Sequence, residues 1–201
     1  MLAALTLSLQ LQQTSFDLLD GVSIALAAHN PANSTATVKF AHPTEYEIEI
    51  LRGNDVIWSN AAPAPEPTTF PIHTRKFVPG PSVLVIYIWN GVETNGSVPQ
   101  AGDYTVRARL LGINEAPTAS AKLHFAPPTP VSALDKLKTG DVVTIAGTLD
   151  PQKAVLSDAT GSVLLGRRLP NAIGTIAVRG YYLKRVNREA IFFVQRWAPL
   201  Q

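Results

Sequence analysis

Between Gly21 and Trp58 the side chains alternate between apolar and polar, and turn residues cut the runs into lengths of about 5–8. Val22, Ile24 and Leu26 share one face before His29-Asn30-Pro31 breaks the pattern. Thr35–Phe40 follows. Next, Tyr46, Ile48 and Ile50 lie opposite Glu45, Glu47 and Glu49, and Arg52-Gly53-Asn54-Asp55 has the residues of a tight hairpin leading to Val56-Ile57-Trp58. A period of two places successive side chains on opposite faces of a strand, so this stretch excludes helix and demands a sheet with one buried face. The same alternation recurs outside it. Leu5, Leu7, Leu9 and Leu11 oppose Thr6, Ser8, Gln10 and Gln12, and Tyr104–Leu111 and Ala119–Phe125 read as further strands. Ser82–Trp89 is almost continuously apolar and reads as a strand buried on both faces or at the centre of the sandwich.

The fold class is therefore all-β. Sixteen prolines and thirteen glycines supply the turns that many short strands require. Residues 61–71 form a proline-stiffened irregular segment, and Ala126-Pro-Pro-Thr-Pro130 reads as an extended spacer. This predicts a first domain over 1–126, a linker over 127–130 and a second domain over 131–201. Charge divides in the same place. Residues 1–125 carry seven basic and ten acidic side chains, net −3, whereas 126–201 carry ten and five, net +5. A basic module suits an anionic partner. Beyond the spacer a short helical turn over Ser132–Lys138 precedes five strand-like segments, 141–148, 153–157, 162–168, 175–184 and 190–197. Five strands in about 70 residues favour a small closed barrel, which removes exposed edges.

Several function classes fall away on composition. No cysteine is present, so disulfides, thiol chemistry and cysteine-held metals are excluded. No apolar run reaches the roughly 18 residues of a membrane helix. The start, Met1-Leu-Ala-Ala-Leu, lacks a basic leader and reads as the first strand, which predicts a cytoplasmic protein; an upstream basic and apolar leader would instead mean export. The oligomeric state is not legible. Nucleophile-elbow, zinc-protease, phosphate-loop and dinucleotide signatures are absent, so the chain reads as a non-enzymatic binder without cofactor or metal. His29, His42, His73 and His124 are scattered and read as strand-end residues, and Glu45, Glu47 and Glu49 as the solvated face of an edge strand. Trp58 and Trp89 read as core rather than as a carbohydrate platform.

Two resemblances extend this reading. Over about residues 5–112 the chain resembles the intracellular proteinase inhibitor (BsuPI) family. The likeness is carried by Leu5–Leu11, Ala28-His29-Asn30-Pro31, Tyr46-Glu-Ile-Glu-Ile, Val56-Ile-Trp58-Ser59, Phe70, Val78-Pro79-Gly80, Trp89 and Pro99-Gln-Ala-Gly-Asp-Tyr-Thr-Val106. It implies an immunoglobulin-like β-sandwich and recognition of a protein partner, a serine protease by the family name. The Ala/Pro filling of the segment from Trp58 to Phe70 departs from the polar turn expected there. Over about 131–200 the chain resembles the OB-fold group, on Gly140-Asp-Val-Val-Thr-Ile-Ala-Gly147, Ala154-Val-Leu-Ser-Asp158 and Thr175-Ile-Ala-Val-Arg-Gly180. It implies a small five-stranded barrel and single-stranded nucleic acid as partner.

Candidate contact residues follow. An extended loop stiffened by proline loses little entropy on docking, which nominates Pro65, Glu66, Pro67, Thr68, Thr69 and Phe70 for protein binding. Basic side chains interleaved with aromatics suit phosphate contact and base stacking, which nominates Lys153, Arg167, Arg168, Arg179, Tyr181, Lys184, Arg185 and Arg188. A third class, a structural component of an envelope or surface assembly, would place Val83–Ile88 at subunit contacts.

Overall fold

A computed structural model describes residues 5–61, 70–114, 116–183 and 191–200. The protein is almost entirely β, with several sheets. It divides into two compact units that interleave in sequence. One takes the residues up to Thr14, Val22–Trp89 and Asp103–Leu123; the other takes Ser15–Gly21, Asn90–Gly102 and the chain from His124 onward. Two excursions from the N-terminal half thus belong to the second unit, a division that no proline or charge shift announces.

In the first unit, β1 (Thr6–Leu11), β3 (Val22–Asn30) and β8 (Gly80–Trp89) form an antiparallel sheet in that order. A second sheet follows the order β10 (Thr118–Ala126), β9 (Gly102–Leu110), β5 (Tyr46–Arg52), β6 (Asp55–Ser59). β4 (Ala36–Phe40) pairs with β7 (His73–Phe77). The alternation on β3 is obeyed strictly: Val22, Ile24, Leu26 and Ala28 are buried while Ser23, Ala25 and Ala27 are half-exposed. Val38, Phe40, Phe77 and Leu110 pack with Leu5 and Ala28 into one cluster. Trp89 is buried, and Trp58 leans on it and on Tyr87.

The Asn30-Pro31 corner is held by its own side chain. Asn30 is buried, its Nδ2 donates to the carbonyls of Ser34 and Phe77, and its Oδ1 accepts from the Ala32 N–H. A buried amide with these partners satisfied fixes the chain reversal and ties it to β7. At the β5–β6 hairpin Gly53 takes φ +60°, a conformation that glycine adopts without the Cβ penalty.

Two expectations are corrected here. β8 is not central: among the described residues it pairs with β3 alone and forms a sheet edge. β5 is no edge strand, since it lies between β9 and β6, and its glutamates are not simply solvated. Glu47 and Glu49 stand directly opposite Arg109 and Arg107 on β9 and pair with them, and Glu45 pairs with Arg75. Facing arginines let the Glu47 and Glu49 carboxylates sit in the middle of a sheet.

In the second unit β11 (Val142–Asp150), β12 (Val155–Asp158), β13 (Gly161–Leu165), β15 (Ile191–Pro199) and β14 (Thr175–Leu183) close into a barrel in that order. All neighbours are antiparallel except β13 and β15, which run parallel. Ile145, Leu156, Val163, Leu165, Ile176, Val178 and Phe192 fill its interior. Gly180 permits the closure: a Cβ there would collide with the Phe193 carbonyl, where β14 and β15 change register. The expected helical turn is a 3-10 turn at Val131–Lys136, and Ser15–Asp17 forms a short strand, β2, parallel to residues 124–126.

Candidate functional site

Of the nominated basic residues, Lys153, Arg167, Arg168, Arg179 and Tyr181 are described; Lys184, Arg185 and Arg188 lie outside the described residues. Lys153 lies in the β11–β12 turn, exposed, 3.6 Å from the Asp150 carboxylate. Arg167 and Arg168 are exposed beyond the end of β13. Tyr181 lies on the outside of β14, opposite Phe193, with the two rings parallel at 5.3 Å.

Arg179 is differently placed. It is on the outer face of β14, yet its side chain is only 15% exposed. Its guanidinium bridges Asp17 and Asp20 and also donates to the Thr144 hydroxyl. That hydroxyl donates to the Leu18 carbonyl, and Arg196, opposite Arg179 on β15, donates to the carbonyls of Leu19 and Asn90. The segment 17–20, running from the end of β2 through a turn with Leu19 at φ +66°, thus lies over this face. A planar fork between two carboxylates is a strong, directional arrangement, and it occupies the donors that a phosphate would need. The outer face of β12 and β13 offers Val155 and Leu164 as one pair and Ser157 and Ser162 as the next, the two hydroxyls bonded to each other at 2.7 Å. No aromatic or basic side chain stands among these four, on the strands that OB-folds use for stacking.

On the protein-binding side, Pro65, Glu66, Pro67, Thr68 and Thr69 lie outside the described residues, and Phe70 is the one nominated side chain in view. Phe70 is partly exposed and leans on His42, which is hydrogen-bonded to Thr44. A groove of about 640 Å³ is lined in part by Ala61, His42 and the Glu47–Arg109 pair.

One exposed surface was expected from the sequence only under the assembly reading. Val83, Ile86 and Ile88 on β8 are 67%, 68% and 70% exposed. Their partners on β3 are Ala27, Ala25 and Ser23, the half-exposed positions of that strand, so all three point away from the core. A bulge between Leu26 and Ala27 accounts for the misleading pattern. It gives β8 one extra residue, Leu84, and thereby keeps Val83 and Ile86 on the same face although they are three apart. The apolar run is the sum of an inner set and an outer set. No charged residue occurs between Lys76 and Glu93, and edge strands that avoid pairing normally carry one.

Among the described residues no three metal-ligating side chains converge, and no helix is long and apolar enough to cross a membrane. No protein-family model matches the chain, and no curated protein matches it. Among solved structures, a β-glucosidase from Erythrobacter marinus overlays 61% of this chain at 10% identity and a TM-score of 0.38; the chain spans 15% of its length. Sporulation control protein Spo0M from Bacillus subtilis overlays 91% of this chain and 76% of its own at 7% identity and a TM-score of 0.40. At these values neither likeness bears on function.

Proposed function

We propose that this chain is a non-enzymatic protein-recognition module, built as an immunoglobulin-like sandwich and an OB-like barrel, whose contact strand is β8. The occupant is an extended apolar segment of a partner protein, added antiparallel as the next strand of the sheet. The carrying observation is the uncharged edge strand with Val83, Ile86 and Ile88 exposed on one face. An edge offers unpaired N–H and C=O groups, and strand addition draws affinity from that ladder and specificity from alternate side chains. Each of the three anchors stabilises a complex by about 1.5 kcal/mol or more when covered, against an association cost of about 4–15 kcal/mol, so the anchors alone do not suffice and the backbone ladder must supply the surplus.

Two separate sheets in the first unit support the sandwich part of this reading. The order first-second-third-fifth-fourth around a closed five-stranded barrel supports the OB-like part. Protease inhibition, which the BsuPI resemblance implies, is one form such recognition would take.

A random-peptide phage library panned on the full chain and on Ile86→Lys tests the proposal. Peptides with alternating β-branched residues should be enriched on the parent and lost on the variant, while thermal melting shows both folded alike. Absence of enrichment, or enriched peptides that bind both proteins equally, would overturn it.

A further inference from the structure

A second site lies in the barrel unit. The 3-10 turn is fastened over the barrel: the Val131 N–H donates to Asp158 Oδ2 at 2.8 Å and the Ser132 N–H to Thr160 Oγ1 at 3.0 Å. Burial by itself would raise the Asp158 carboxyl, but donors from Thr160, Val131 and Gly161 outweigh it and hold the group below its ordinary range. Gly161 leaves only van der Waals room beneath Val131. Between this anchored turn and the strands is a cavity of about 350 Å³, within the size range of small-molecule sites.

Val131 and Leu134 of the turn and Val155 and Leu164 of β12 and β13 give the cavity apolar walls. One end is polar. There the Tyr182 hydroxyl donates to Asp135 Oδ1 at 2.7 Å. Asp135 itself is exposed, and among the described residues it has no cationic partner and accepts no hydrogen bond at Oδ2. Burial and the neighbouring carboxylate push Tyr182 up to about 12, so the phenol stays neutral and the carboxylate keeps its donor across the physiological range. A carboxylate fixed by a tyrosine hydroxyl at the rim of an apolar pocket matches a cation carried on a short hydrocarbon chain.

We propose that this cavity binds an aliphatic primary ammonium group, supplied either as a free alkylamine or as a lysine side chain of a peptide. The site is separate from β8 and does not rest on the protein-recognition reading.

Titration of the full chain by two-dimensional amide NMR tests it with four probes: n-butylammonium, n-butanol, butyrate and an acetylated, amidated Gly-Lys-Gly peptide. Butylammonium should give saturable shifts centred on Leu134, Asp135 and Leu164, and butanol should bind about tenfold more weakly or worse. Asp135→Asn, an exposed and isosteric change, should leave the melting temperature unaltered and weaken butylammonium about tenfold. A lysine peptide that binds as tightly as butylammonium assigns the site to lysine side chains, and a weaker one assigns it to free amines. The proposal is overturned if butylammonium gives no saturable shift into the millimolar range. It is equally overturned if butanol or butyrate binds as tightly, or if Asp135→Asn binds butylammonium unchanged.

Discussion

The outer faces of β8 and β14 invert what their side chains would lead one to expect. β8 turns Val83, Ile86 and Ile88 to solvent, whereas β14 turns Arg179 outward and then covers it with Asp17 and Asp20. The apolar face is bare and the charged face is occupied. Hydrophobicity decides which residues can be buried; position in the sheet and the chain that crosses a face decide which are. A bare apolar edge invites a partner, and an arginine already forked between two carboxylates does not. Binding is therefore expected where charge is absent.

The largest effect comes from contrasting the two faces of the β3–β8 pair. Ile24 is fully buried and lies opposite Tyr87, whereas Ile86 lies opposite Ala25 and points out. Ile24→Ala should cost about 3 kcal/mol in urea unfolding through lost transfer energy and a residual cavity. Ile86→Ala should stay within about 0.5 kcal/mol, as at other surface sites. Comparable losses at the two positions would mean that the β8 face is covered, and the contrast with β14 would vanish.

Next in size is the network on β14. Breaking a buried ion pair by removing one partner costs about 3–5 kcal/mol, and the Asp17 side chain keeps 40% exposure, so Arg179→Ala should cost about 2 kcal/mol. Arg167→Ala, at an exposed position after β13, should change stability by less than about 0.5 kcal/mol. Equal small effects would show Arg179 to be as available as Arg167.

A finer probe reads the inner side of β14 by pH. Tyr182 stands at about 12 in the folded chain, against 10.0 ordinarily. A raised folded-state value means that the folded protein prefers the protonated phenol. The resulting stabilisation is complete below pH 10 and is lost as pH rises from about 10 through 12. Equilibrium unfolding across that window should show a falling limb in the parent that Tyr182→Phe lacks, since phenylalanine has no proton to lose. An identical limb in both would place the alkaline transition elsewhere.

How much of this was written in the sequence differs by residue. Strand positions followed from alternation, because a two-residue period leaves no other local structure. The Asn30 corner and the Gly53 hairpin followed from turn chemistry. β8 misled because a bulge placed two same-facing residues three apart, and because alternation reports which side chains share a face but not whether a strand has one neighbour or two. The Glu45, Glu47 and Glu49 row could have been read better, since Arg107 and Arg109 carry the complementary spacing. Arg179 could not have been. Its carboxylate partner Asp17 is 162 positions away, and nothing local marks the pairing.

The smallest expected signal concerns nucleic acid. With Arg179 occupied, the nominated and described basic side chains left on the barrel for phosphate are Lys153, Arg167 and Arg168, and Lys153 already has Asp150 nearby. Three contacts would give a salt slope of at most about −2 for a single strand, too shallow to hold one without stacking. The stacked pair Tyr181 and Phe193 engage each other, and β12 and β13 present valine, leucine and serine between them. An oligo-dT titration at about 50 mM salt should therefore show no binding by fluorescence anisotropy. Binding that weakens with salt and disappears in the Arg167→Ala, Arg168→Ala double variant would reverse the comparison. The charged barrel would then be the working surface, and the bare β8 edge would need another explanation.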